Sequence, residues 1–175
     1  MKDNAKLTKK QIVSLLNVLN SKLKEKTLYG EISIVGGAVM CLVYDARPST
    51  KDIDAIFKPK SELYNISKEV AKEFNIPENW LNDGVKGFIH KGEFKPYKKL
   101  SNLMINVASA EFMFALKCFA SRYGPESEDI NDIKFLAKFL DIKTTSEAIN
   151  VILRFIPEKL ILPKTRYFLM EILGE

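Results

Sequence analysis

The sequence predicts an α+β fold, a small mixed sheet flanked by helices in the N-terminal half and a helical bundle behind it. Two observations carry this. Short segments with strand patterning all fall before residue 109, and helical periodicity dominates afterwards. The chain has 175 residues, 46% hydrophobic and 28% charged, enough for a real core in one ordinary domain. We expect residues 1–108 to form the sheet-bearing core with an N-terminal amphipathic helix. Residues 109–175 should form a helical lobe packed on it, the whole a single compact unit.

The elements follow in order. Thr8 and Gln11 make a capping box, and Ile12, Leu15, Leu16, Leu19 and Leu23 follow at helical spacing, so residues 9–26 read as an amphipathic helix. A short strand over 31–35 stops at Gly36-Gly37, and a helix follows at about 38–44. Residues 51–57 alternate, with Ile53, Ala55 and Phe57 on one side and Asp52, Asp54 and Ile56 on the other. Pro59 ends that strand. Residues 60–74 carry a helical stripe of Leu63, Ile66, Val70 and Phe74, and 75–88 read as a loop holding Trp80. Strands are expected near 92–98 and 102–107. Ser109 caps a helix with Phe112, Ala115, Leu116, Phe119 and Ala120 on its core face, broken at Tyr123-Gly124-Pro125. Ser127 caps the next, with Ile130, Ile133, Leu136, Ala137 and Leu140 on one face. Thr145 or Ser146 opens another through Phe155, and Pro163 opens the last, to about Leu173.

Composition excludes several classes. Eleven Phe, six Tyr and one Trp exclude a disordered chain. The longest uncharged stretch, 32–44, is shorter than the roughly 20 residues of a membrane span, so no membrane helix is expected. The first residues lack the apolar core of a signal peptide. Cys41 and Cys118 sit far apart in apolar segments and read as buried free thiols of a cytoplasmic protein. His90 is the single histidine, too few ligands for structural zinc, and reads as a loop residue. The net charge of +5 lies entirely in residues 1–28, where seven lysines face Asp3 and Glu25. Such a helix either meets nucleic acid or presents a solvated lysine face. A second basic run, Lys86, Lys91, Lys95, Lys98 and Lys99 among Phe88, Phe94 and Tyr97, suits a nucleic-acid groove or an exposed hairpin.

The informative stretch is Ile34-Val35-Gly36-Gly37-Ala38, then Arg47-Pro48-Ser49-Thr50-Lys51-Asp52-Ile53-Asp54. Asp52 and Asp54, two apart on a strand, send both carboxylates from one face, where they repel unless a cation stands between them. Such a pair suits Mg²⁺ (or Mn²⁺) shared with a triphosphate. Gly36 and Gly37 let backbone approach a phosphate at a helix start. Ser49 or Thr50 offers a hydroxyl, and Arg47 a charge to neutralise phosphate. Taken singly, a Gly-Gly after a strand is usually a turn and an Asp-x-Asp usually a solvated strand face. Their order here is far less common.

That order resembles the signature of the nucleotidyltransferase superfamily, the polymerase β-like minimal fold. The Arg-x-Ser-Thr-x-Asp-Ile-Asp form resembles the branch holding nucleotidyltransferase toxins of toxin–antitoxin and abortive-infection systems and their small bacterial relatives. Leu116-Lys117-Cys118-Phe119-Ala120-Ser121-Arg122 with Glu128-Asp129-Ile130-Asn131-Asp132-Ile133 is similar to the branch's helical motif, and Trp80-Leu81-Asn82-Asp83 is similar to its small relatives. The resemblance spans about residues 10–140.

It implies an enzyme that moves an NMP from an NTP to an acceptor, RNA such as a tRNA end or protein, and releases pyrophosphate. A cognate antitoxin or other protein partner is also implied. Asp52 and Asp54 would hold the metal, and Gly36, Gly37, Arg47, Ser49, Thr50, Arg122 and Asp132 would surround the nucleotide. Lys117 and Asp129 would complete catalysis from a second wall of the cleft. The residues also allow plainer roles: Lys117 pairing with Asp129, or Arg122 with Asp132. The pattern departs from the family at Asn106, where many members carry a third acid, and at Glu128, where the branch carries Lys or Arg. Those departures support the alternative, a degenerate fold that binds nucleotide or a protein without turnover. A third reading has apolar C-terminal helices dock a partner.

Overall fold

The computed structural model describes residues 6–85, 91–120 and 128–174. They fall into two units: 6–85 with 94–108, and 91–93 with 109–174.

In the first unit the order is β1 (Leu7–Thr8), α1 (Lys9–Glu25), β2 (Gly30–Val35), α2 (Gly37–Leu42), β3 (Ser49–Thr50), β4 (Ile53–Lys58), α3 (Lys60–Phe74), β5 (Leu81–Asn82), β6 (Phe94–Lys99) and β7 (Leu103–Ala108). Five strands form one mixed sheet in the order β5-β4-β2-β7-β6, and β1 pairs with β3 in a separate ribbon. β2 runs antiparallel to β4 and parallel to β7. Alternation decides the faces: Ile32 and Ile34, Ile53, Ala55 and Phe57, and Leu103, Ile105 and Val107 are all buried. α1 and α3 pack on one another and reach β7 and β4.

The α1 start is the expected capping box. The Thr8 hydroxyl accepts from the Gln11 N–H, and Gln11 Oε1 accepts from the Thr8 N–H at 2.9 Å, which satisfies two donors that a helix start leaves open. All five residues of the expected stripe are buried. α3 has its expected bounds and ends on Asn75 in the left-handed region, φ 51°.

Three expectations in this unit need correction. The strand expected over 51–57 runs Ile53–Lys58, because the β2–β4 ladder ends at Val35–Asp54. The helix expected to reach Tyr44 ends at Leu42. The stretch expected to be loop contains β5, which joins β4 in parallel through Ile53–Leu81 and Asp54–Asn82. Two residues show no alternation, so periodicity misses them. Trp80 anchors them: its side chain is buried, and its indole N–H donates to the Ser67 carbonyl at 2.9 Å.

The second unit is helical, with α4 (Ala110–Ala120), α5 (Glu128–Phe139), α6 (Thr145–Leu153), a 3₁₀ turn at Glu158–Leu160 and α7 (Pro163–Leu173). α4 is flanked by α5 and α6, and α7 lies on α6. Ser109 caps α4 as expected, its hydroxyl accepting from the Phe112 N–H at 3.2 Å. The expected core face was too narrow: Met113, Phe114 and Cys118 are buried as well, while Ala120 is exposed. Thr145 opens α6, one of the two expected starts, and Thr144 caps it. Thr144 accepts from the Glu147 N–H, and the Glu147 carboxylate accepts from the N–H groups of Thr144 and Lys143 at 3.1 and 2.8 Å. Those donors hold the Glu147 carboxyl below its ordinary range. α6 also stops at Leu153, short of Phe155. Pro163 opens α7 as expected, and Gly174 ends it at φ 79°. Ser127 and the expected break at Tyr123-Gly124-Pro125 lie outside the described residues.

Replacing Trp80 with Phe removes the indole hydrogen bond and leaves a void under β5. We expect a stability loss of about 1–3 kcal/mol, read as a lower urea midpoint by far-UV circular dichroism. An unchanged midpoint would mean that the bond to Ser67 does not anchor this segment.

Candidate active site

The site grows out of the end of β2. Val35, the last residue of β2, pairs with Asp54 of β4. The chain then turns at Gly36, whose φ of 70° and ψ of −151° belong to a region that is essentially glycine-only. A Cβ on Gly36 would stand 3.0 Å from Asp54 Oδ2. A Cβ on Gly37 would stand 2.5 Å from Thr50 Oγ1 and 3.2 Å from Arg47 Nη1. The two glycines are therefore bare because a carboxylate, a hydroxyl and a guanidinium close over them. The β1–β3 ribbon brings Thr50 there through the Leu7–Thr50 pair. The Ala46 N–H, donating to the Met40 carbonyl at 3.0 Å, ties the Arg47 loop back to α2. Of the two hydroxyls that the sequence offered, that of Thr50 is the one that crowds Gly37. α2 has only six residues, so backbone N–H groups and Arg47, more than a helix dipole, would favour an anion here.

Asp52 lies one residue before β4 and is half-buried. Asn82 Nδ2 donates to Asp52 Oδ2 at 3.3 Å. Burial pushes the Asp52 carboxyl above the ordinary aspartate value of 3.8, and Lys51 and the Asn82 hydrogen bond oppose that rise. Asn82 was not among the candidate site residues. Its sequence signal was the Trp80-Leu81-Asn82-Asp83 run, whose placement beside Asp52 comes from the parallel β4–β5 pairing.

The position expected to hold a third acid also reads differently in three dimensions. Asn106 pairs with Ser33, and its amide donates to Glu31 Oε1 at 2.9 Å. Continuing the Ile34–Val107 register by one residue sets Ala108, not Asn106, across Val35 from Asp54. Among the described residues no group of three or more Asp, Glu, His or Cys is placed to hold a metal ion. Asp52 and Asp54 would be the candidate donors for one. Two hard oxygen ligands suit Mg²⁺ or Mn²⁺ when phosphate and water supply the rest.

The helical motif makes its own cluster in the second unit. Lys117 Nζ on α4 lies 2.6 Å from Asp129 Oδ1 and 2.9 Å from Asp132 Oδ2, both on α5. The Lys117 and Asp132 side chains are 11% and 2% exposed, so this is an interior ion-pair cluster. It fulfils the plainer expectation for Lys117. Arg122 lies outside the described residues, as do His90, Lys86 and Phe88. Burial pushes the Cys118 thiol far up, which makes a thiolate there unfavourable. Cys41 is likewise buried and in no disulfide.

The basic helix is partly neutralised from within its own unit. Lys9 pairs with Asp45 at 2.9 Å, Lys22 with Glu73 at 2.9 Å and Lys26 with Glu69 at 3.1 Å. Lys95, Lys98 and Lys99 lie exposed on β6, an edge strand that also carries Pro96 and a register shift. Edge strands commonly carry such lysines and prolines against strand pairing. Leu153, Leu162, Tyr167 and Met170 of the C-terminal helices are exposed. No helix among the described residues is long and apolar enough to cross a membrane.

Comparison with known proteins adds one coarse likeness. No protein-family model and no curated protein matches the chain. The crystal structure of an antigenic nucleotidyltransferase-like protein from Paracoccidioides brasiliensis is similar to it with a TM-score of 0.49 and 13% identity, over 98% of this chain and 100% of that one. A likeness of that grade does not carry a function.

Two outcomes test the electrostatics. Because the folded-state value of Asp52 is raised, its ionisation weakens the fold as pH rises above 3.8. Asp52→Asn should therefore melt higher than wild type at pH 7 and gain nothing at about pH 2.5, where the carboxyl is protonated in both states. Lys117→Met removes the cation that faces the buried Asp132 and the partly exposed Asp129 and should cost about 3 kcal/mol in chemical denaturation. A loss below about 1 kcal/mol would mean that the cluster is not interior in solution.

Proposed function

We propose that the chain is a metal-dependent nucleotidyltransferase that moves an NMP from an NTP to an acceptor hydroxyl, on RNA or protein. The observation that supports this best is the closing of Asp54, Thr50 and Arg47 over the bare Gly36-Gly37 turn, with Asp52 two residues away. Asp52 and Asp54 would hold Mg²⁺, which when bound supplies charge neutralisation for the triphosphate. Gly36 and Gly37 leave the room that lets Asp54, Thr50 and Arg47 close on the turn, where a metal-bound phosphate would meet them. Arg47 offsets charge on the departing pyrophosphate, and Thr50 offers a hydroxyl to the same group. The acceptor oxygen attacks the α-phosphorus, its bond to the bridging oxygen breaks, pyrophosphate leaves and the hydroxyl proton passes to water. Such a reaction depends chiefly on positioning and electrostatics. This reading rests on the first unit. A role for Lys117 and Asp129 toward phosphate would compete with their mutual ion pair. Membership of the toxin and defence branch, with a protein partner, is part of the same proposal and rests on the motif alone.

One observation favours a second reading, nucleotide binding without turnover: the β7 position expected to hold a third acid is Asn106, whose amide is engaged by Glu31. The assay incubates the protein with each α-labelled NTP, Mg²⁺ or Mn²⁺, total tRNA and cell extract. Label on RNA or protein is expected from wild type and should fall at least 100-fold in Asp54→Ala, with its circular dichroism unchanged. Nucleotide binding without label from any NTP would establish the second reading.

A further inference from the structure

We infer that Asn82 is a positioning residue of the carboxylate pair, so that the third polar group of the site comes from β5, on the opposite side of β4 from β7. The inference rests on the proposed metal role of Asp52 and Asp54. Asp52 needs such help. The β2–β4 ladder gives its last pair at Val35–Asp54, and Asp52 lies two residues beyond it, before the strand begins. The side-chain contact that reaches it is the 3.3 Å donation from Asn82 Nδ2 to Oδ2.

Asn82 is itself held from three directions. Its backbone is paired with Asp54. Two residues earlier, the Trp80 carbonyl accepts from the Ile53 N–H at 2.7 Å while the Trp80 indole is tied to Ser67. Its Oδ1 accepts from the Gly84 N–H at 3.0 Å. That last bond orients the amide, because a flip would set its NH₂ against a backbone N–H. The donor thus faces Asp52. An amide donor fixes one carboxylate oxygen and leaves the remaining lone pairs for a cation, without adding a third negative charge. Groups that orient a ligand in this way typically change metal affinity 10–100-fold.

The test uses full-length wild type, Asn82→Ala, Asn82→Asp, Asp52→Ala and the Asn82→Ala/Asp52→Ala double variant. Mn²⁺ binding is read by electron paramagnetic resonance, and melting temperature without metal by circular dichroism. Asn82→Ala should raise the Mn²⁺ Kd about tenfold or more. Asn82→Asp keeps the acceptor for Gly84 but loses the donor, so it should melt below wild type without metal and recover with Mn²⁺. A role confined to the turn would lower the melting temperature of Asn82→Ala and leave its Mn²⁺ Kd at the wild-type value. The melting shifts of Asn82→Ala and Asp52→Ala should fall short of adding in the double variant. Unchanged Mn²⁺ affinity in Asn82→Ala, or additive shifts, overturns the inference. A wild type that binds no Mn²⁺ overturns it together with the metal reading; non-additive shifts would then place the failure in the metal and not in the contact.

Discussion

The antiparallel register of β2 on β4 is the constraint on which the candidate site depends. It sets Val35 opposite Asp54, so the turn after β2 must pass directly over an aspartate. Only a residue without Cβ, in a backbone region closed to others, can make that passage. A slip of one residue would turn Asp54 into the apolar layer and bring Ile53 or Ala55 to the turn. Burial of Ile53, Ala55 and Phe57 on the other face prevents the slip. The hydrophobic alternation that stabilises the sheet is thus the same feature that aims the carboxylate.

The charges divide into those that the fold uses and those that a ligand would use. Lys9 and Lys22 of α1 and its C-cap Lys26 are engaged by Asp45, Glu73 and Glu69, which reduces the cationic surface that composition alone implies. Exposed pairs of this kind contribute little to stability. The Lys117 cluster is different, because its lysine and Asp132 are nearly inaccessible and removing a charge from a buried pair is costly. At the Gly-Gly turn the balance runs the other way. Asp52 is held at a cost, its ionised form disfavoured by burial. A residue retained against stability is commonly found where a site needs a charge.

Long periodic elements were legible in the sequence. α1, α3 and α7 came out within a residue of their bounds, because each joins a stripe of apolar residues to a cap or to Pro. Two-residue strands were not legible. β1, β3 and β5 lack the length to show a period, and they exist because neighbouring strands offer them partners. The Gly-Gly turn, Arg47 and the Asp pair could be named in advance from type and spacing. The choice of Thr50 over Ser49, the placing of Asn82 and the engagement of Asn106 by Glu31 depend on pairings between segments far apart in the chain.

By itself the sequence determined the α+β class, the stripes that become core and the residue types able to carry phosphate chemistry. These are local properties: composition, periodicity and spacing. Tertiary structure alone decided which polar atoms meet. Lys117 faces two aspartates because α4 packs on α5. Asp52 meets Asn82 because β5 joins β4 in parallel. Asn106 meets Glu31 because β7 runs parallel to β2 at one register. A hydrogen bond needs its partners within about 3 Å and correctly aligned, and spacing along a chain leaves that separation open until the core has fixed every strand and helix.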